Sequence, residues 1–212
     1  MIDGVSVHAA RLKAGAILAQ EHPVEADVVI GVPDSGLDAA LGYARESGIP
    51  YGIGFIKNRY VGRTFILPTQ EERVEAVHIK LNVLADTVKG KRVIMVDDSI
   101  VRGTTSANIV KMLREAGATE VHMRVSSPPF INPCYFGTDV ADKDKLIACR
   151  MSIKEIGEQI GVDSLGYLSV DGVKHIAEGA HCDFCTGCFT GKYPIEVPEN
   201  MPVDKFCCKI GE

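Results

Sequence analysis

Residues 93–105, with the sequence VIMVDDSIVRGTT, carry the strongest signal for the fold of this chain. Its first four residues are apolar and mostly β-branched, which predicts a short strand buried on both faces. The strand is expected to end at Asp97 and Asp98, and a Gly/Thr loop leads into a helix predicted from about Ser106 to Ala116. The stretch therefore predicts a strand, a turn that carries two carboxylates, and a helix.

The same order of strand and helix continues on both sides of this stretch. Residues 27–32 contain a short apolar, β-branched run that predicts a buried strand, and residues 120–125 are predicted as the next strand. The other expected elements are helices at residues 7–20, 37–47, 70–84 and 153–160, strands at residues 50–56 and 165–170, and an irregular Cys/Gly-rich segment at residues 179–194. Repeated strand–helix–strand units favour an α/β fold in which helices flank a parallel sheet. Such sheets bind ligands beyond the carboxyl ends of their strands.

The size and charge of the chain narrow its class. With 212 residues, 46% of them hydrophobic, we expect a core domain over residues 1–150 and a C-terminal extension with a Cys-rich segment over residues 151–212. A net charge of −5 argues against a nucleic-acid partner. The first residues lack the apolar core of a signal peptide, and no apolar run is long enough to cross a bilayer. A cytoplasmic protein without a membrane partner is therefore expected.

The turn after the strand at residues 93–96 combines a helix start that can bind phosphate with a pair of carboxylates. N–H groups and Thr hydroxyls at a helix start can hold a phosphate, which the helix dipole also favours. Asp97 and Asp98 would repel that phosphate, so ribose hydroxyls or a bridging Mg²⁺ are their expected partners. The pair could instead simply begin a turn and cap the helix, since Asp and Thr often do so. From the residues alone, both interpretations stay open.

The cysteines favour a metal site or free thiols over disulfides. Their number, seven, is odd, a signal peptide is not evident, and Cys182, Cys185 and Cys188 are clustered. This spacing suits a metal ion or an iron–sulfur cluster, although the following segment lacks the fourth cysteine of ferredoxins. Free structural thiols are the alternative. No role is assigned to Cys149 or to the two adjacent cysteines near the end of the chain.

Residues 93–105 resemble the phosphoribosyl pyrophosphate (PRPP) signature of type I phosphoribosyltransferases, in the form found in amidophosphoribosyltransferases. Three other segments resemble that family in the same order, namely residues 31–35 (GVPDS), 56–65 (IKNRYVGRTF) and 126–129 (SSPP). The resemblance covers roughly residues 3–194. It implies the type I phosphoribosyltransferase fold.

The resemblance implies a PRPP site built from three loops. Asp97 and Asp98 would engage the ribose and, together with Ser35, Mg²⁺. The 5′-phosphate loop would comprise Ser99, Val101, Arg102, Gly103, Thr104 and Thr105, and the pyrophosphate loop would comprise Asp34, Ser35 and Gly36. The flexible active-site loop would contribute the catalytic residues Lys57, Arg59, Tyr60 and Arg63. Composition alone also allows a capped turn and a solvated basic loop at these positions.

The resemblance also implies a reaction and its partners. The chain would be a glycosyltransferase in which ammonia displaces pyrophosphate from C1 of PRPP, forming 5-phosphoribosylamine for purine biosynthesis. We do not expect the family's N-terminal glutaminase domain, or glutamine hydrolysis, in this chain, and a glutaminase domain or subunit would deliver the ammonia. Purine nucleotide feedback inhibitors and a homo-oligomer are further expectations. A nucleobase salvage enzyme and a PRPP-binding regulator or inactive fragment are the alternatives.

Some bacterial members of this family carry a [4Fe–4S] cluster, and the resemblance implies its ligands. Cys134, Cys185 and Cys188 match family ligands. Cys182 would be a nearby spare thiol, and the family's remaining ligand lies upstream of Met1. The expected cofactors are therefore Mg²⁺ and a [4Fe–4S] cluster whose fourth ligand the sequence does not identify.

Overall fold

The computed structural model describes residues 1–58, 81–136 and 143–197. Its centre is a sheet of four parallel strands. In spatial order these are β1 (Val28–Gly31), β4 (Arg92–Asp97), β5 (Glu120–Val125) and β6 (Ser164–Tyr167). The predicted parallel sheet is confirmed, and β6 shows that it includes chain beyond residue 150.

Helices cover both faces of the sheet. The helices of the described residues are α1 (Val7–Glu21), α2 (Gly36–Ser47), α3 (Ala85–Val88), α4 (Thr104–Glu115), α5 (Ile153–Ile160), α6 (Val170–His175) and α7 (Gly187–Thr190), with 3-10 turns at Lys143–Lys145 and Ile147–Cys149. Local signals set their starts: the Ser6 hydroxyl accepts a hydrogen bond from the Ala9 amide at α1, and Ser152 and Glu155 form a reciprocal capping box at α5. The helices predicted around α1, α2, α4 and α5 are confirmed.

β4 separates two hydrophobic layers. Val93 and Met95 belong to the layer completed by α4 and α5, whereas Ile94 and Val96 belong to the layer completed by α1 and α2. All four side chains are fully buried. Because helices cover both faces, the strand needs no polar alternation, and the uninterrupted apolar run in the sequence follows from this.

α1 and α2 approach so closely that glycines are needed where they cross. A Cβ atom on Gly15 would lie 1.8 Å from the carbonyl oxygen of Ala39, and one on Gly42 would lie 2.0 Å from the carbonyl oxygen of Leu12. The two backbones are therefore in direct contact. Since α2 follows β1 in the chain, this contact helps to fix the start of α2 over the end of the sheet.

A strand pair beside the main sheet differs from the predictions. Within the segment expected to be a strand at residues 50–56, Tyr51 forms an isolated parallel bridge with Val29. The strand itself is β2 (Phe55–Lys57), which pairs antiparallel with β3 (Leu81–Val83). β3 replaces the end of the helix expected at residues 70–84, of which residues 70–80 lie outside the described part of the chain. Pairing with a strand distant in sequence overrides the local helical pattern here.

Two predictions after β5 are also corrected. The strand expected at residues 165–170 ends at Tyr167, and Ser169 then caps α6 by accepting a backbone hydrogen bond. The segment expected to be irregular at residues 179–194 contains α7, which ends at Gly191 with φ 75°. Among the described residues, every helix is too short or too polar to span a lipid bilayer.

Candidate active site

Asp97 and Asp98 lie at the carboxyl end of β4, as predicted. Asp97 is only 8% exposed, Asp98 is exposed, and the Asp98 amide donates to Oδ1 of Asp97 at 2.8 Å. Burial, and after it the neighbouring Asp98 carboxylate, raises the pKa of Asp97 well above its usual range. A charged carboxylate at this position is costly, and a cation or hydroxyl donors would offset that cost.

The segment after β5 secures the acidic turn. Ser126 donates two hydrogen bonds to the carbonyl oxygen of Asp97, one from its amide at 2.9 Å and one from its hydroxyl at 3.2 Å. Ser126 was not among the predicted site residues. Its position directly after the strand next to β4 is the sequence signal that points to it.

The turn from β4 into α4 forms an open helix start. Gly103 occupies the N-cap position with φ 82°, and no described side chain caps the helix there. Thr104 and Thr105 are exposed, and the first amides of a helix lack acceptors within it. The base of the loop is fixed, because the Ile147 amide donates to the Val101 carbonyl oxygen at 2.9 Å. The predicted 5′-phosphate loop therefore has N–H and hydroxyl donors on a fixed backbone.

A second open helix start lies beside the first, at the end of β1. Ser35 is the N-cap of α2, again without a side-chain hydrogen bond to the helix among the described residues. A Cβ atom on Gly36 would lie 2.4 Å from the carbonyl oxygen of Val96, so this turn packs directly on the end of β4. β1 and β4 are neighbours, with Gly31 opposite Val96. The two predicted phosphate-binding loops are therefore adjacent.

Lys57, the last residue of β2, reaches the predicted pyrophosphate loop. Its Nζ donates to Oδ2 of Asp34, whose preceding peptide bond is cis. The lysine side chain is 26% exposed and the aspartate side chain 63%. The structure thus brings Lys57 and Asp34 together, whereas Arg59, Tyr60 and Arg63 lie outside the described residues.

The arrangement suits a ligand with an anionic group at each end and hydroxyl groups between them. Two helix starts offer donors to anions, and the acidic pair lies at the end of the strand that leads into one of them. No three His, Cys, Asp or Glu side chains within the described ranges converge to hold a metal ion. Asp97 and Asp98 with the Ser35 hydroxyl nevertheless fit Mg²⁺, which commonly takes one or two carboxylates and completes its shell with substrate phosphates and water.

Cys134, Cys185 and Cys188 lie close enough to influence one another electrostatically. Burial raises the pKa of the Cys188 thiol, and Cys134 and then Cys185 raise it further. The amides of Ile131 and Asn132 both donate to the Cys188 carbonyl oxygen at 3.0 Å, which ties α7 to the segment that carries Cys134. The predicted cysteine ligands are therefore on two segments that hydrogen bonds tie together.

The other cysteines have different surroundings. The Cys149 thiol donates to the Ile131 carbonyl oxygen at 3.2 Å, and Cys182 is exposed. Cys207 and Cys208 lie outside the described residues. The structure therefore gives Cys149 a packing contact beside the cysteine group.

The fold and the two helix starts define a class of protein. Residues 6–164 match the family model described as the phosphoribosyl transferase domain. The chain belongs to this family and has its type I α/β fold, a parallel sheet flanked by helices.

Within this class, the chain is similar over nearly its whole length to proteins named amidophosphoribosyltransferase. It is 55% identical over 200 residues to that of Archaeoglobus fulgidus, which covers 93% of this chain and 44% of the relative. The corresponding values are 57% over 200 residues, 92% and 42% for Bacillus subtilis, and 59% over 197 residues, 92% and 41% for Methanocaldococcus jannaschii. The chain thus spans less than half the length of the curated relatives it matches.

Two solved structures agree with these relatives. The allosteric regulatory enzyme of purine biosynthesis has a TM-score of 0.85 and 54% identity, with 96% of this chain and 44% of that chain covered. Glutamine PRPP amidotransferase from B. subtilis, complexed with ADP and GMP, has the same TM-score and identity, with 96% and 46% covered. Both likenesses extend over the sheet and the helices that form the candidate site.

Proposed function

We propose that this chain transfers the phosphoribosyl group of PRPP to ammonia, which yields 5-phosphoribosylamine and pyrophosphate in purine biosynthesis. The observation that carries this proposal is the adjacency of two open helix starts, with the acidic pair Asp97 and Asp98 at the end of β4. Identity above 50% to amidophosphoribosyltransferases supports ammonia as the acceptor. A nucleobase acceptor has no comparable support.

Each part of PRPP has a proposed site. The loop at residues 99–105 would hold the 5′-phosphate, and Ser35 and Gly36, in the pyrophosphate loop that begins at Asp34, would hold the pyrophosphate. The acidic pair would accept hydrogen bonds from the ribose hydroxyls. Bound at Ser35 and the acidic pair, Mg²⁺ would neutralise charge on the pyrophosphate.

The chemical step requires little covalent work from the protein. The lone pair of ammonia forms the C1–N bond as the C1–O bond to pyrophosphate breaks, pyrophosphate leaves with that electron pair, and the new ammonium group then loses a proton to solvent. Lys57 would stabilise the negative charge on the leaving pyrophosphate, while the two loops fix both ends of the substrate. We assign Arg59, Tyr60 and Arg63 the exclusion of competing water.

The same proposal includes partners. A glutaminase domain or subunit would deliver the ammonia. The enzyme would be cytoplasmic and would form a homo-oligomer. Purine nucleotides would act as feedback inhibitors, since the B. subtilis neighbour is described as a complex with ADP and GMP. Cys134, Cys185 and Cys188 would bind a [4Fe–4S] cluster; the hydrogen bonds that tie α7 to the segment carrying Cys134 support this.

Pyrophosphate release from Mg²⁺-PRPP by the purified chain tests the reaction. Ammonium, glutamine, a purine base and no acceptor would be compared, and we expect ammonium-dependent release. Asp97→Asn and Asp98→Asn should lower turnover at least about tenfold with unchanged circular dichroism. Asp171→Asn, at a side chain 84% exposed on α6, is the matched control and should retain turnover. Release only with the base, or with no acceptor at all, would contradict the proposal.

Iron and sulfide analysis after anaerobic purification tests the cluster. Serine at Cys134, Cys185 or Cys188 should lower the iron content, because each substitution removes a thiolate ligand. Cys149→Ser is the control, since the Cys149 thiol already donates to a carbonyl oxygen. Iron-free protein under anaerobic conditions would contradict the ligand assignment.

A further inference from the structure

The ion pair between Lys57 and Asp34 places a carboxylate where the proposed function expects an anion. A bare carboxylate beside the start of α2 would repel pyrophosphate, which carries several negative charges. Lys57 donates to Asp34 and so neutralises it. The Lys57 ammonium and the Asp34 carboxylate therefore neutralise each other.

Asp34 does not act as the cap of α2. The N-cap position belongs to Ser35, and no side-chain hydrogen bond to the helix start is made there by the described residues. The Asp34 carboxylate instead accepts from Lys57, which belongs to a different strand pair. The contact thus joins two parts of the site across a large stretch of sequence, rather than stabilising a local turn.

We propose that Asp34 and Lys57 form a latch in which the Asp34 carboxylate competes with the pyrophosphate group of the substrate for the Lys57 ammonium. This inference rests on the proposed function. When pyrophosphate arrives, Lys57 exchanges one anion for another, and Asp34 turns to solvent. The site then passes from a neutral resting state to a charged bound state without exposing an unpaired lysine.

The exposure of the pair makes the latch weak enough to open. Ion pairs that water reaches contribute little, because solvent screens them and the long side chains lose conformational freedom. Removing such a competitor should tighten pyrophosphate binding about two- to fivefold. The Asp34–Lys57 ion pair thus lowers the affinity of the site for pyrophosphate without blocking it.

Asp38 provides a matched control. It lies in the first turn of the same helix, but its carboxylate pairs with His8, Nδ1 to Oδ1 at 3.1 Å. Asp34→Asn and Asp38→Asn remove the same charge near the same helix start, and only the first removes the contact with Lys57. Asp34→Ser repeats the test with a different side chain if Asp34→Asn fails to fold.

The experiment measures binding of inorganic pyrophosphate with Mg²⁺ by calorimetry, together with the acetylation rate of Lys57 by peptide mass spectrometry. We expect Asp34→Asn to bind pyrophosphate two- to fivefold more tightly and to acetylate faster at Lys57, with smaller changes for Asp38→Asn. Unchanged or weaker binding in Asp34→Asn, equal tightening in Asp38→Asn, or absence of binding in every chain would overturn the latch. Tightening without ammonium-dependent turnover would uphold the latch and overturn the proposed reaction.

Discussion

A methyl group added where α1 and α2 cross should destabilise the protein, and we expect Gly42→Ala to lower the free energy of unfolding. The new Cβ atom would lie 2.0 Å from the Leu12 carbonyl oxygen, whereas ordinary contacts begin at 3.4 Å. To reach an ordinary contact the two helices must therefore separate by about 1.4 Å, since a backbone oxygen cannot rotate away as a side chain can. Overpacking of this kind costs roughly 1–3 kcal/mol.

A second effect of the same substitution has the opposite sign. Alanine is favoured over glycine inside a helix by about 0.5–1 kcal/mol. The collision should dominate, with a net loss of about 1–2 kcal/mol. Gly157→Ala on α5 isolates the favourable effect, because its nearest neighbour would be the Leu165 Cβ at 3.5 Å, an ordinary contact. We expect that control to gain up to about 1 kcal/mol.

Urea unfolding followed by circular dichroism would compare the two variants with the unaltered chain. Binding of Mg²⁺-pyrophosphate supplies a second readout, because α2 carries the proposed pyrophosphate loop at its start. Gly42→Ala should bind more weakly and Gly157→Ala should bind normally. A Gly42→Ala chain as stable as the Gly157→Ala chain would refute the close contact between α1 and α2.

Three further predictions concern the site and the core. Burial raises the pKa of Asp97 above its ordinary value of 3.8. Between pH 3.8 and the folded-state pKa, the folded chain therefore binds more protons at Asp97 than the unfolded chain does. Over this range the free energy of unfolding falls as pH rises. Asp97→Asn should remove this slope in urea titrations at several pH values and be the more stable chain at pH 7, despite its lower turnover; an unchanged slope would contradict this. Tyr167→Phe should leave stability equal or raise it by about 1 kcal/mol in thermal unfolding, because burial raises the pKa of Tyr167 to about 12 and its hydroxyl has no hydrogen-bond partner among the described residues. Gly103→Ala should lower stability by about 1–3 kcal/mol and weaken PRPP binding in calorimetry, because φ is 82° and its Cβ would lie 2.8 Å from Ile147 Cδ1; normal binding would contradict the fixed loop.

The elements predicted well are those whose signals are local. The apolar run of β4 lies between two helical layers, and α5 begins with a Ser152–Glu155 capping box that the sequence carries within four residues. β3 was mistaken for helix because its partner, β2, is distant in the chain. A pattern read along one segment contains no information about such a partner.

In the candidate site, too, features with a local sequence signal are predicted, and contacts between distant segments are not. The acidic pair and its turn were located, because the strand, the carboxylates and the helix start are consecutive. The contact of Lys57 with Asp34 and the two hydrogen bonds from Ser126 to Asp97 were not predicted. Both depend on tertiary packing: Ser126 follows the strand next to β4, and Lys57 belongs to the separate β2–β3 pair that lies near the end of β1.

The pairing of β1 with β4 also bears on how the molecule folds. These strands are neighbours, although β2, β3 and α3 lie between them in the chain. Their pairing therefore closes a long loop, and the chain loses the conformational entropy of that loop before the contact stabilises the fold. β4 and β5, by contrast, are joined by α4 alone. We therefore expect the segment from β4 to β5 to form early and the junction with β1 late. A partly folded chain would then hold one phosphate loop without the other, and would not capture PRPP before its sheet is complete.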